Sequence, residues 1–78
     1  MDNEINLLKR RSRREFVLHE RDKLLVKLVS EGRTSKDIAA MSNVSHRTVE
    51  GVLDMLCRVY QCRNRVQLVA KFIREGLI

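Results

Sequence analysis

The chain has 78 residues, with 16 Lys and Arg against 10 Asp and Glu, and its formal net charge is +6. That length supports one small domain with a thin core, and no apolar run approaches the roughly 18 residues of a membrane-spanning helix. No signal peptide is visible, so we expect a cytoplasmic protein without a membrane partner. The absence of proline and the scarcity of aromatic residues favour an all-α fold. The positive charge favours a polyanionic partner, nucleic acid before a membrane surface.

Residues 1–17 differ from the rest of the chain because they contain the basic run Lys9–Arg14. An arm of this kind lies along phosphates or enters a minor groove. The alternative is a solvated leader with a frayed helical turn, capped by Ser12 and Glu15. A charge run alone does not decide between them. We expect a partly flexible basic arm over residues 1–17 and one domain over residues 18–78.

The first helix is predicted from about His19 to Glu31, with Gly32 providing a left-handed residue just past its end. Its inward stripe is predicted to consist of Leu24, Leu25, Leu28 and Val29. The charged residues of the same helix are predicted to face outward: Glu20, Arg21, Asp22, Lys23 and Lys27.

A helix-turn-helix is predicted in the middle of the chain. Thr34–Asp37 has the pattern of a capping box or a close relative, and it opens a short helix that ends near Met41. Ile38 and Met41 are its expected inward contacts. A tight turn over residues 42–44 then leads to Ser45, a good N-cap for the next helix. Short helix, tight turn and capped long helix is the spacing of a helix-turn-helix.

The long helix is predicted over residues 46–60 and is amphipathic. Its apolar stripe contains Val49, Val52, Leu53, Leu56, Val59 and Tyr60. Its polar face contains His46, Arg47, Glu50, Gly51, Asp54 and Arg58. A polar face that follows a short capped turn is typical of a helix presented to a partner. The spacing alone does not establish DNA binding, because any small helical bundle can contain such a corner.

The last helix is predicted from Arg65 to Glu75, with Asn64 as its cap and Gly76 after its end. One apolar stripe is predicted from Val66, Val69, Ala70 and Ile73. Leu68 and Phe72 extend the apolar surface further around the helix. A surface helix that is apolar on more than one side indicates a second contact, so these two residues are predicted to contact a partner.

The sequence offers no set of residues typical of a metal site, a cofactor site or an enzyme. Cys57 and Cys62 lie on or just after an apolar face, where cysteine usually serves as a small hydrophobe. Neither a structural disulfide nor a metal ligand set is expected from their spacing or from that of His19 and His46. No catalytic constellation or phosphate-binding glycine loop is present, so we expect no enzyme activity.

Several short motifs occur in order without a gap over residues 18–78: Leu18, Glu20–Lys23, Leu28–Gly32, Ser35–Ala39, Val44–Ser45, Thr48–Glu50, Arg63–Arg65 and Gly76–Ile78. In combination they resemble the LuxR/GerE-type (NarL/FixJ-like) DNA-binding domain. The resemblance implies a small four-helix domain with a central helix-turn-helix that acts in bacterial transcription regulation. It also implies dimerisation through the last helix, at Leu68 and Phe72. Without a receiver or sensing domain, the chain resembles the stand-alone members.

Carried over residue by residue, the resemblance implies three groups of DNA contacts. The sugar-phosphate backbone would be met by Thr34, Ser35, Lys36 and Arg65. The mouth of the major groove would receive Ser45, His46, Arg47 and Thr48. Base edges or flanking phosphates would be contacted by Glu50, Gly51, Asp54 and Arg58. A helix start offers free N–H groups to phosphate, which supports the first group physically.

Some positions depart from the family pattern. The family usually has histidine and asparagine where this chain has Val52 and Met55, which makes the long helix more apolar. Glu50 and Asp54 also place two carboxylates one turn apart on the face that would enter a polyanion. A carboxylate can accept from cytosine N4, but two of them repel phosphate.

Two hypotheses follow. The first is a sequence-specific regulator that binds double-stranded DNA as a homodimer on two half-sites. The alternative is an interaction protein of the same fold that pairs with another regulator and modulates or blocks its DNA binding. Another transcription regulator and RNA polymerase are therefore the further partners to consider.

Overall fold

The computed structural model describes residues 16–78, and four helices occupy this part of the chain: α1 (Glu20–Ser30), α2 (Ser35–Ser42), α3 (His46–Val59) and α4 (Arg65–Arg74). They agree with the predicted helices to within one residue at each end. The all-α prediction with a central helix-turn-helix, formed by α2 and α3, is therefore confirmed. The basic run Lys9–Arg14 lies outside the described residues.

One hydrophobic core joins the four helices. α1 packs on α4, α2 packs on α3, and α3 also contacts α4. The buried apolar side chains are Leu25, Val26, Ile38, Ala39, Val49, Leu53, Leu56, Leu68 and Phe72. None of the helices within residues 16–78 is long and apolar enough to cross a membrane.

Capping fixes where the helices begin. The Thr34 hydroxyl accepts from the Asp37 N–H at 3.1 Å, and the Asp37 carboxylate accepts from the Thr34 N–H at 3.2 Å. This reciprocal pair is the predicted capping box at the start of α2. At α3 the Ser45 hydroxyl accepts from the Thr48 N–H at 3.0 Å, as predicted. The starts of both helices of the helix-turn-helix are thus determined by local sequence.

Each helix is followed by a residue in the left-handed region, which turns the chain sharply into the next segment. Gly32 and Gly76 have φ values of +91° and +71°, and Asn43 and Gln61 both have +58°. Gly and Asn tolerate this conformation, whereas Gln rarely adopts it. Gln61 is therefore the least favourable of these helix ends.

Three side chains of α1 and α2 have burial opposite to the prediction. Leu24 and Met41, expected in the core, are exposed, and Val26 is buried in place of Leu24. Asp22, expected on the outer face, is buried, because its carboxylate accepts from the His19 N–H at 3.0 Å at the start of α1. A buried acid is tolerated there because it satisfies a free backbone donor of the first turn.

The predicted orientation of α4 is wrong. Leu68 and Phe72, predicted to contact a partner, are both 0% exposed, whereas Val66 and Ile73 of the other stripe are 74% and 57% exposed. Both stripes have helical spacing, so the sequence pattern alone cannot choose between them. α1 and α3 cover the Leu68/Phe72 side, and these two side chains therefore cannot provide the predicted dimer contact.

An aromatic cluster closes the core at the beginning of the described chain. Phe16 packs edge to face on Tyr60 with 6.0 Å between ring centroids, and Tyr60 packs likewise on Phe72 at 5.0 Å. Phe16 had been assigned to the arm, but it packs against the core. Phe16 is therefore packed with the domain, although it lies before the predicted boundary at residue 18.

Candidate nucleic-acid interface

The surface formed by the start of α2 and the start of α3 carries most of the predicted DNA-binding residues. Nine of the twelve predicted residues are exposed: Thr34, Lys36, Ser45, His46, Arg47, Thr48, Gly51, Asp54 and Arg58. The polar face predicted for α3 is thus accessible apart from Glu50. Ser35, Glu50 and Arg65 are the remaining three, and they contact one another.

The contact of these three side chains links α2, α3 and α4. Arg65 donates from Nη2 to both Glu50 carboxylate oxygens at 3.0 Å, and from Nη1 to the Ser35 hydroxyl at 3.2 Å. The Ser35 hydroxyl in turn donates to the Glu50 carboxylate. We refer to Ser35, Glu50 and Arg65 as the polar cluster. Hydrogen bonds between ionised partners are stronger than neutral ones, so the cluster fixes α3 relative to its neighbours.

The polar cluster changes the roles assigned to its members. Ser35 is buried and its hydroxyl is engaged on two sides, so the phosphate contact predicted for this residue would have to use its backbone N–H, and it stays a prediction. Glu50 is partly buried and its carboxylate is bound by Arg65, which leaves it less available for the predicted contact with DNA. Arg65 is held by the same carboxylate, and its predicted phosphate contact stays a prediction.

The charge of Glu50 is compensated within the protein. Hydrogen bonds from Ser35 and Arg65, with the positive charge of Arg65, lower the pKa of the Glu50 carboxyl from its ordinary value of 4.5. His46 lies one turn earlier, with Nε2 3.7 Å from a Glu50 oxygen. An ionised Glu50 bound to a guanidinium repels phosphate much less than a free carboxylate does. The negative charge of one of the two carboxylates expected to disfavour DNA binding is therefore balanced by Arg65.

The second carboxylate, Asp54, is exposed on α3, and among the described residues no ion pair involves it. Arg58 lies one turn further along the same face and is also exposed. Val52 and Met55 are both partly buried and pack against the core. They consequently contribute less apolar surface to the exposed face of α3 than their sequence positions indicated.

An additional basic residue, Arg33, was missing from the predicted contacts. It precedes the Thr34 cap, is exposed, and lines an open cleft of about 660 Å³ together with Lys36, His46 and Arg65. Its position next to the first turn of α2 is the only sequence signal that could have identified it. No group of His, Cys, Asp or Glu side chains within residues 16–78 is placed to hold a metal ion.

The family model for bacterial regulatory proteins of the luxR family matches residues 16–72, which covers the four helices except the last two residues of α4. The chain belongs to the LuxR family. The match begins at Phe16, which packs against the core. No curated protein and no solved structure matched the chain.

Membership of the LuxR family establishes the general function of the domain. The domain is a helix-turn-helix that binds DNA in bacterial transcription regulation, a regulatory fold rather than a typical enzyme fold. α3 is the second helix of the helix-turn-helix, the position that enters the major groove in proteins with this motif. The exposed residues of its first turns are therefore the candidates for base contact.

Proposed function

We propose that this LuxR-family chain is a sequence-specific DNA-binding transcription regulator that places α3 in the major groove and acts as a dimer. The observation that carries the proposal is the exposed polar surface at the starts of α2 and α3, where free backbone N–H groups and basic side chains occur together. Helix starts favour phosphate through their N–H groups and dipole.

Within this surface we assign different DNA contacts to different residues. Lys36, Arg33 and Arg47 are exposed cations that supply the phosphate contacts and most of the affinity. Thr48 and Asp54 are exposed on the outer face of α3 and supply discrimination between base pairs. Glu50 belongs to neither set, since it is bound to Arg65.

For the dimer, we propose that the exposed stripe of α4 forms the interface. Val66 and Ile73 are exposed, and Val69 and Ala70 between them are partly buried. These four residues have the i, i+3, i+4, i+7 spacing of one helix face. A pair of α4 helices packed along this stripe would cover an apolar surface that a single chain leaves in water.

The alternative, an interaction protein that blocks another regulator, rested on two carboxylates and two apolar residues on α3. The negative charge of Glu50 is balanced by Arg65, and Val52 and Met55 pack against the core. Asp54 is the one feature of α3 that still supports the alternative, so DNA binding is favoured.

Selection of tight-binding sequences from random duplexes, followed by fluorescence anisotropy at several salt concentrations, tests the proposal. We expect Lys36→Ala to weaken binding to all duplexes and to reduce the salt slope by about 0.9, the value for one lost phosphate contact. Arg74→Ala is the matched control, because Arg74 is an exposed cation of α4 that does not line the cleft containing Lys36. Absence of any salt-dependent binding, with co-purification of another regulator, would favour the alternative.

A further inference from the structure

The turn after α3 brings the two cysteines of the chain together. Gln61 adopts the left-handed conformation with φ of +58°. Its N–H donates to the Arg58 carbonyl at 3.2 Å, and the Cys62 N–H donates to the Cys57 carbonyl at 2.7 Å. This pair of backbone hydrogen bonds is the Schellman motif, in which the chain folds back on the last turn of the helix.

In a Schellman motif the residue that donates the longer-range hydrogen bond commonly packs its side chain on the residue that accepts it. Here those residues are Cys62 and Cys57. Both are free, both are partly exposed, and both line the same shallow cleft between the end of α3 and the start of α4. Burial raises the pKa of the Cys57 thiol, and the neighbouring Cys62 thiol adds to that effect, so Cys57 has less thiolate at neutral pH and its oxidation should be faster at alkaline pH.

We propose that Cys57 and Cys62 form a redox-active thiol pair, which hydrogen peroxide oxidises to a reversible intramolecular disulfide. The pair is separated by four residues in sequence, but the backbone hydrogen bond holds their main chains side by side. A disulfide requires neighbouring Cα atoms and converging Cβ vectors, and two residues paired across a tight turn meet the first condition. Partial exposure gives the oxidant access to both sulfurs.

The reaction uses one peroxide for each disulfide. One thiolate attacks a peroxide oxygen, the O–O bond breaks, and a sulfenic acid forms while the released hydroxide takes a proton to become water. The second thiolate then attacks that sulfenic sulfur, the S–O bond breaks, and a second water leaves. Two thiols and one peroxide thus give one disulfide and two waters, and a small-molecule thiol reverses the step by exchange.

The disulfide would connect the last turn of α3 covalently to the segment that leads into α4. In the reduced protein the Cys62 thiol donates weakly to the Tyr60 carbonyl at 3.5 Å, and this contact is given up on oxidation. No other described side chain hydrogen bond is made by either cysteine. The expected structural effect is therefore confined to residues 57–62, with the polar cluster unchanged.

Peptide mapping tests the inference on the full chain, because Arg58 separates the two cysteines into different tryptic peptides. After treatment with hydrogen peroxide and blocking of the remaining thiols, we expect the intact mass to fall by two hydrogen atoms. We also expect the peptides that contain Cys57 and Cys62 to be joined until a reductant separates them. The joined fraction should not change when the protein is diluted before oxidation.

Variants at position 61 test whether the turn holds the Cys57 and Cys62 thiols close together or whether they meet only by random motion of the chain. Gln61→Gly keeps the left-handed turn, so it should oxidise at least as fast as the parent chain. Gln61→Val disfavours that turn, so it should oxidise more slowly. Cys57→Ser and Cys62→Ser should each give no joined peptides and serve as controls. The proposal would be overturned if oxidation gave only disulfides between chains or only higher sulfur oxides. Equal oxidation rates for Gln61→Gly and Gln61→Val would overturn it as well.

Discussion

The Arg65 guanidinium donates to both oxygens of the Glu50 carboxylate at 3.0 Å, and this contact joins the start of α4 to the second turn of α3. Ser35 completes the link from α2. α3 is therefore held on one side by its apolar stripe and on another by a charged pair. That arrangement would reduce the repulsion between the Glu50 carboxylate and phosphate on the surface proposed to bind DNA.

Removal of either partner of this pair should destabilise the domain. Both side chains are 37% exposed, so solvent screens the interaction, and we expect Arg65→Ala or Glu50→Gln to lower the free energy of unfolding by about 1 kcal/mol. Urea denaturation followed by circular dichroism measures this change. A double-mutant cycle isolates the coupling between the two residues from the loss of their other contacts.

The matched control for this pair is Lys71→Ala. Lys71 in α4 forms an i, i+4 ion pair at 3.7 Å with Glu75, the residue that follows α4, and neither residue bridges helices. Such exposed pairs contribute only about 0.3–0.5 kcal/mol. An effect of Arg65→Ala no larger than that of Lys71→Ala would show that the polar cluster does not hold α3 in place.

The lowered pKa of Glu50 predicts a specific dependence of stability on pH. Because the pKa of the folded state lies below its ordinary value of 4.5, the ionised form is favoured by folding. The contribution is complete above the unfolded-state pKa and is lost as the pH falls through the lower folded-state pKa. Urea denaturation from pH 7 to pH 3 should therefore show a smaller difference between the parent chain and Glu50→Gln at the acidic end. A constant difference over this range would contradict the assignment.

Local signals predicted the helices well, and longer-range contacts explain what was missed. Capping boxes, Ser45 and the left-handed residues lie next to the helix ends that they determine, so the sequence contains them directly. The polar cluster joins residues 15 and 30 positions apart, a separation without any periodic signature. Arg65 was assigned to phosphate by family resemblance alone, and no local pattern indicated that Glu50 would bind it.

Replacement of Gln61 by glycine should stabilise the protein. Gln61 has φ of +58°, and nonglycine residues adopt this region at a cost of about 1 kcal/mol. Thermal unfolding of Gln61→Gly should show a gain in free energy of about that size, less the extra entropy of glycine in the unfolded chain. Asn43→Gly is the control at the same φ, and its gain should be smaller because Asn tolerates this conformation better. Equal gains at both positions would show that residue type does not matter in these turns.

Substitutions on the two faces of α4 should have different consequences. Ile73→Glu places a charge on the exposed stripe, so we expect the mass measured by sedimentation to fall to that of one chain, with the helical circular dichroism retained. Leu68→Ala, by contrast, removes a fully buried side chain and should cost about 2–5 kcal/mol of folding free energy. Lys27→Glu, an exposed charge change on α1, controls for the added carboxylate. If Ile73→Glu leaves the mass of a dimer unchanged while Lys27→Glu lowers it, the interface lies away from α4.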